Sequence, residues 1–195
     1  MSEYKLSENN WTRVAVFAGG DRGHYRTDFD RFVGVDRGSL WVLEEDLPLT
    51  LAVGDFDSVT ADERQLIQKR AQRFIQAQPE KDDTDLELAL LTIFEQNSQA
   101  QVTIFGALGG RIDHMLANVF LPSNPKLAPY MRQIAIEDGQ NLLAYCPEGT
   151  SQLQPRSDYA YLAFMPVRDS QLTILGAKYE LTEENFFFKK VYASN

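Results

Sequence analysis

A chain of 195 residues with 44% hydrophobic residues can bury a substantial core, and it is too well mixed in apolar and charged residues to be disordered. Its net charge of −9, from 19 basic and 28 acidic residues, excludes a general nucleic-acid surface, because binding to a phosphate backbone rests on clustered Lys and Arg. Cys146 is the single cysteine and has no intramolecular partner, no run reaches the roughly 18 apolar residues of a membrane span, and no apolar targeting stretch follows Met1, so the expected location is the cytoplasm, with neither nucleic acid nor membrane as partner.

In chain order, up to about Pro122, short apolar runs alternate with helical periodicity. Val14–Ala18, Phe32–Asp36, Leu51–Asp55 and Val102–Gly106 each read as a buried parallel strand ending at or near Gly or Asp. Thr60 and Glu63 form a capping box that opens a helix. Leu86, Ala89, Leu90, Ile93 and Phe94 fall at i, i+3, i+4, i+7 and i+8, as do Ile112, Met115, Leu116, Val119 and Phe120, which predicts two helices with one apolar face each. After Pro122-Ser123-Asn124-Pro125 the helical signal fades. Gln133–Ile136, Asn141–Tyr145, Tyr159–Phe164 and Gln171–Leu175 read as strands, the first two joined by an Asp138-Gly139 turn. The expected fold class is an α/β N-terminal domain with a mostly parallel open sheet over residues 1–125, followed by a C-terminal antiparallel β-sandwich over residues 126–195.

The carboxylates at the element ends carry the chemistry. Asp82-Asp83-Thr84-Asp85 sits where an extended segment gives way to a helix, and Gly54-Asp55-Phe56-Asp57-Ser58 follows a strand. So many acids converging repel one another unless a cation joins them, and a hard ion such as Mg²⁺ shares oxygen ligands between protein carboxylates and substrate phosphates. Spacing alone is weak: with 15 aspartates in 195 residues, about one i, i+2 pair arises by chance. Three occur, and Asp28/Asp30 reads as a solvated loop pair. Asp55 and Asp57 point the same way from an extended segment, against the alternative of an Asx-type turn. Thr84 and Glu87 also fit a capping box, which explains those two residues but not three aspartates within four positions.

Gly109-Gly110-Arg111-Ile112-Asp113-His114 supplies the complementary cation, since glycines let a phosphate approach the backbone and Arg111 at a helix start can grip its oxygens. His114 stands with Arg111 and Asn118 on one polar stripe, open to a structural hydrogen bond or a substrate contact. The Gly19–Arg26 loop, which holds His24, could cradle phosphate or adenine, yet it lacks the Walker and Rossmann glycine spacing.

In their order, Gly34-Val35-Asp36-Arg37-Gly38-Ser39, Gly54–Ser58, Lys81–Asp85, Gly109–His114 with Asn118, Gly176–Tyr179 and Ser194-Asn195 resemble the thiamin pyrophosphokinase family over nearly the whole chain. The resemblance implies transfer of pyrophosphate from ATP to the hydroxyl of thiamin, giving thiamin diphosphate and AMP, by a homodimer with sites at the subunit boundary. It implies Asp55, Asp57, Asp85 and Arg111 as catalytic residues, with Mg²⁺ held by Asp57, Thr84 and Asp85. Nucleotide binding would fall to Asp36, Lys81, Asp82, Gly109, Gly110, Arg111, Asp113, His114 and Asn118. Asp36, Asp55, Ser194 and Asn195 would bind thiamin, the last two reaching its pyrimidine from the partner subunit. Arg37 departs from the family pattern, which often has glycine there. The alternatives are a metal-dependent nucleotide pyrophosphohydrolase, which would use water as acceptor, and a non-catalytic thiamin or nucleotide sensor.

Overall fold

The computed structural model describes residues 11–78, 83–168, 171–182, 186–187 and 190–192. It divides into two compact units, Met1–Ser151 and Gln152–Asn195. In the first unit the order is β1 (Arg13–Phe17), β2 (Arg31–Val35), α1 (Gly38–Glu44), β3 (Leu49–Gly54), α2 (Ala61–Arg70), β4 (Arg73–Gln76), α3 (Asp85–Gln96), β5 (Gln101–Phe105), α4 (Ile112–Phe120), two 3₁₀ turns, β6 (Ile134–Glu137) and β7 (Leu142–Ala144).

One seven-stranded sheet results, in the order β4-β3-β2-β1-β5-β6-β7. All its pairings are parallel except β6 with β7. Its central strands β1, β2 and β3 are buried along nearly their whole length because helices cover both faces, and the two-residue period sorts their side chains between two cores. Val14 and Val16 of β1 join Val33, Val35 and the α3 residues Leu90 and Ile93 in one. Ala15 and Phe17 turn to the other face, against Phe32, Leu40 and Trp41 of α1 and Ile67 of α2. All five predicted face residues of α3 are buried, and Leu86, Leu90, Ile93 and Phe94 each contribute about 1.5–3 kcal/mol. The capping box forms as expected: Thr60 N–H donates to Glu63 Oε2 at 2.7 Å, and Glu63 N–H donates to Thr60 Oγ1 at 3.3 Å.

One expectation is corrected here. The strands expected to open a sandwich from residue 126 instead extend the first sheet: Ile134 and Ile136 are buried beside Val102 and Ile104 of β5, and the compact unit runs on to Ser151. An alternating strand reads the same whether it pairs with what precedes or follows it, so sequence periodicity could not choose. The predicted apolar face of α4 forms but is uncovered, with Ile112 69% exposed and no residue of the helix buried.

In the second unit the described antiparallel pairing consists of the bridges Phe164↔Tyr192 and Ile174↔Leu181, around a small core of Ile174, Leu181 and Tyr192. Among the described residues no helix is long and apolar enough to cross a membrane.

Candidate metal centre at the carboxyl edge of the sheet

Ligands of open α/β sheets bind outside the carboxyl ends of the strands, and three of this sheet's acids meet there. β2 ends at Val35, and Asp36 follows with φ +48, a left-handed conformation uncommon for a side chain with a Cβ. Neighbouring β3 ends at Gly54, where φ is +156 and an added Cβ would stand 1.9 Å from Asp36 Oδ1. Only glycine admits the carboxylate so close. Asp55 comes next, then Phe56 with φ +60, its ring buried and stacked on Phe74 at 4.7 Å. That anchored ring fixes the turn, so Phe56 N–H donates to Asp36 Oδ1 at 3.1 Å and Asp57 N–H donates to Asp55 Oδ1 at 3.0 Å. Two left-handed non-glycine residues in one site store strain that the surrounding packing must hold in place.

Asp85 is the first residue of α3, and Thr84 is its N-cap, accepting from Glu87 N–H at 3.2 Å. Carboxylate oxygens of Asp36, Asp55 and Asp85 lie within 4.8 Å of one another. Burial pushes the Asp36 carboxyl up to about 6, the Phe56 N–H opposes that, and the charges of Asp85, Asp55 and Asp57 push it further up. Three carboxylates in mutual repulsion, offering oxygen donors only, fit a hard divalent cation such as Mg²⁺.

The structure sorts the predicted residues unevenly. Asp36, expected in the surroundings, belongs to the trio, whereas Asp57 is exposed and stands beside it, its charge felt at Asp36. The crowded aspartates do not all converge. Asp83 turns to Lys126, which also reaches Glu87 at 3.8 Å, and Asn124 Nδ2 donates to Glu87 Oε1 at 2.9 Å. Burial raises the pKa of Glu87. This polar network joins α3 to the segment after α4, and no spacing rule signals it, because Lys126 lies 43 residues from Asp83. Glu87 therefore completes no capping box at Thr84.

Arg111 is the N-cap residue of α4, exposed, and paired with Asp113 through Nε at 3.2 Å and Nη2 at 2.6 Å. The hydrogen bond and the Arg111 charge hold the Asp113 carboxyl below the usual carboxylate range. Asn118 Nδ2 donates to the Ala107 carbonyl at 3.0 Å, tying α4 to the Gly109-Gly110 loop, where φ is +82 and +67. His114 is exposed. Arg37 is exposed too, and its Nη1 donates to the Ser58 carbonyl at 3.3 Å. Lys81, Asp82, Ser194 and Asn195 lie outside the described residues.

Fold and site together define an open α/β protein with a cluster of three carboxylates at the edge where its strands end. Residues 23–130 match the family described as "Thiamin pyrophosphokinase, catalytic domain", and residues 150–195 match "Thiamin pyrophosphokinase, vitamin B1 binding domain". A thiamine pyrophosphokinase of Bacillus subtilis is 34% identical over 176 residues, covering 86% of this chain and 81% of its own. The crystal structure of a thiamin pyrophosphokinase family protein from Enterococcus faecalis superposes with a TM-score of 0.86 at 43% identity, over 94% of this chain and 88% of that one. That of a thiamin pyrophosphokinase from Geobacillus thermodenitrificans gives 0.71 at 34% identity, over 88% and 81%. The chain belongs to the thiamin pyrophosphokinase family.

Proposed function

We propose that this protein transfers pyrophosphate from ATP to the hydroxyl of thiamin, giving thiamin diphosphate and AMP. The observation that carries the reading is the meeting of Asp36, Asp55 and Asp85 in a chain of this family. Family membership favours neither the hydrolase nor the sensor.

Asp36, Asp55 and Asp85 would hold Mg²⁺, with Asp57 and the Thr84 hydroxyl beside them. The bound ion would neutralise charge on the polyphosphate. The thiamin hydroxyl oxygen attacks the β-phosphorus, the bond from that phosphorus to the α–β bridging oxygen breaks, and AMP leaves. Such transfer depends chiefly on in-line positioning and charge stabilisation. Asp55, turned toward the cluster by the Phe56 anchor, orients the hydroxyl and takes its proton. Arg111, held by Asp113, grips polyphosphate oxygens in its planar fork, with Gly109, Gly110, His114 and Asn118 around it and Lys81 and Asp82 as further nucleotide contacts. The acidic edge also attracts the cationic thiazolium ring, and Ser194 and Asn195 contact the pyrimidine. A homodimer is supported by the uncovered apolar stripe Ile112, Leu116 and Phe120 on α4, since exposed apolar patches mark interaction surfaces. A cytoplasmic location fits the free, exposed Cys146.

The test is product analysis with Mg²⁺, ATP and thiamin. AMP and thiamin diphosphate are expected in equal amounts, with no AMP when thiamin is omitted. ADP with thiamin monophosphate, or AMP released equally well without thiamin, overturns the assignment.

A further inference from the structure

Asp85 reaches the acidic trio from a different kind of element than its two neighbours, and something must hold it there. Asp36 and Asp55 directly follow the paired strands β2 and β3, and Phe56 N–H ties the second turn to the first. Asp85 instead opens α3, and three carboxylates within 4.8 Å of one another repel. The charges that gather at the sheet edge therefore push the first turn of α3 away from it.

Apolar packing does not resist that push in any particular direction. Leu86, Ala89, Leu90 and Ile93 join the core beneath the sheet, but burial of apolar surface is non-directional. The cap that Thr84 gives to Glu87 N–H lies within the helix start and fixes nothing outside it. At the far end of α3, Asn97 Nδ2 donates to the Trp11 carbonyl at 3.1 Å and the Phe94 ring stacks on Tyr130 at 4.2 Å. At the near end the corresponding anchor is Glu87, whose side chain is buried. Residues two apart on an α-helix stand about 200° apart, so fixing Glu87 on one side of α3 fixes the direction of Asp85 on the other.

The segment after α4 does the fixing. Asn124 Nδ2 donates to Glu87 Oε1 at 2.9 Å, and Lys126 Nζ stands 3.8 Å from the same oxygen. Lys126 Nζ also donates to Asp83, the residue before the cap, so one ammonium holds the chain on both sides of Thr84. The platform is itself firmly built. Lys126 N–H donates to Asn124 Oδ1 at 3.0 Å, Leu127 N–H and Ala128 N–H donate to the Asn124 carbonyl at 2.9 and 2.7 Å, and Leu127 is fully buried.

Resting on the reading of the trio as a cation site, we propose that Glu87, Asn124 and Lys126 are positioning residues that aim Asp85 at the cation through the first turn of α3. None of the three is itself a ligand. Lys126 gives this its sharpest consequence, because its charge and its position act in opposite directions. A cation that merely stands near the trio disfavours a second one, so its removal tightens metal binding. A cation that holds α3 in place has the reverse effect, since without it Asp85 leaves Asp36 and Asp55 and binding weakens.

The test is binding of Mn²⁺, which like Mg²⁺ favours oxygen ligands, to the protein without nucleotide or thiamin, followed by electron paramagnetic resonance. Lys126→Met keeps an unbranched stem and removes the ammonium from a half-exposed position. It is expected to weaken Mn²⁺ binding about tenfold or more, the usual cost of losing a partner behind a metal ligand. The Mg²⁺ concentration for half-maximal turnover should rise in parallel. Lys126→Arg, whose fork can serve both carboxylates, should restore wild-type binding. In an Asp85→Asn background Lys126→Met should add no further loss, because the residue it aims is gone. Tighter or unchanged Mn²⁺ binding in Lys126→Met, a loss that Lys126→Arg shares, or a fully additive loss on top of Asp85→Asn overturns the proposal. Should wild type bind no Mn²⁺, the cation reading falls by itself, and a crystal structure of metal-free Lys126→Met decides the positioning role. Asp85 oxygens displaced from the 4.8 Å cluster uphold it, and oxygens still in place overturn it.

Discussion

The carboxyl edge of the sheet is built in two unlike ways on its two sides. The β2–β3 side, extending to the start of α3, is built from charge: carboxylate oxygens of Asp36, Asp55 and Asp85 lie within 4.8 Å of one another. The β1–β5–β6 side is built from shape, where Gly20 and Gly106 let backbone segments meet beside a cavity. The difference predicts opposite sensitivities. Removing a charge should abolish chemistry on the first side and leave folding intact, while adding volume should damage folding on the second.

The largest effect is expected from Asp55→Asn and Asp85→Asn. Each keeps its size but loses an anionic oxygen, and for Asp55 the proton acceptor too. Turnover should fall by about 10²–10⁴, with Tm within a few degrees of wild type. A collapse in Tm with turnover preserved in the folded fraction would make these residues structural and erase the contrast. Asp57→Asn, outside the trio, is expected to cost less than either.

The charged side was largely legible in the sequence because acids at strand ends carry their meaning in residue type. Asp55, Asp57 and Asp85 could be singled out, and the strands beneath them announced themselves through Val and Leu runs. The rest depended on contacts distant along the chain. Asp36 enters the trio only because Gly54 leaves room for it and Phe56 donates to it, and neither left-handed conformation is written in composition. β4, with only Phe74 and Ile75 apolar, was too short to stand out, and α1 reads as an apolar run because five of its seven residues are buried. The cavity side was only half legible: the Gly19–Arg26 loop stood out, but its glycine spacing matches neither the Walker nor the Rossmann pattern, and its closure on Gly106 is a backbone contact distant along the chain.

On that side Gly20→Val should destabilise strongly. Its Cβ would lie 2.4 Å from the Gly106 carbonyl, which is backbone and cannot rotate away. Overpacking of this kind costs about 1–3 kcal/mol, readable as a lower urea midpoint at unchanged slope. A neutral Gly20→Val variant would mean that the two loops are free to part and that the cavity is not pre-formed.

A gain in stability is expected from Asp36→Asn in metal-free protein. Asp36 titrates at about 6 when folded against an unfolded value of 3.8, so the folded state binds protons more tightly. Wild-type stability should therefore decline as pH rises from 4 to 6, and the penalty is fully present above that window. The asparagine removes it and can still accept from Phe56 N–H. Allowing for solvent screening of a partly exposed group, the gain at pH 8 is about 1–2 kcal/mol, vanishing below pH 4. Denaturant melts of both proteins across pH 4–8 would show curves that separate with rising pH. Parallel curves would mean that Asp36 carries no electrostatic cost and that the trio is less crowded than its geometry indicates.

Thr84 stands where charge and shape meet, and its effect should be the smallest. Its hydroxyl oxygen caps α3 by accepting from Glu87 N–H, a role worth about 1 kcal/mol that Thr84→Ala would forfeit. That loss alone cannot separate capping from metal binding, since alanine removes both. Asparagine caps as well as threonine or better, so Thr84→Asn should keep the Tm of wild type. If the hydroxyl also serves the ion, Thr84→Asn should raise the Mg²⁺ concentration needed for half-maximal turnover severalfold. An unchanged Mg²⁺ requirement confines Thr84 to the helix end and leaves the proposed cation to the carboxylates alone.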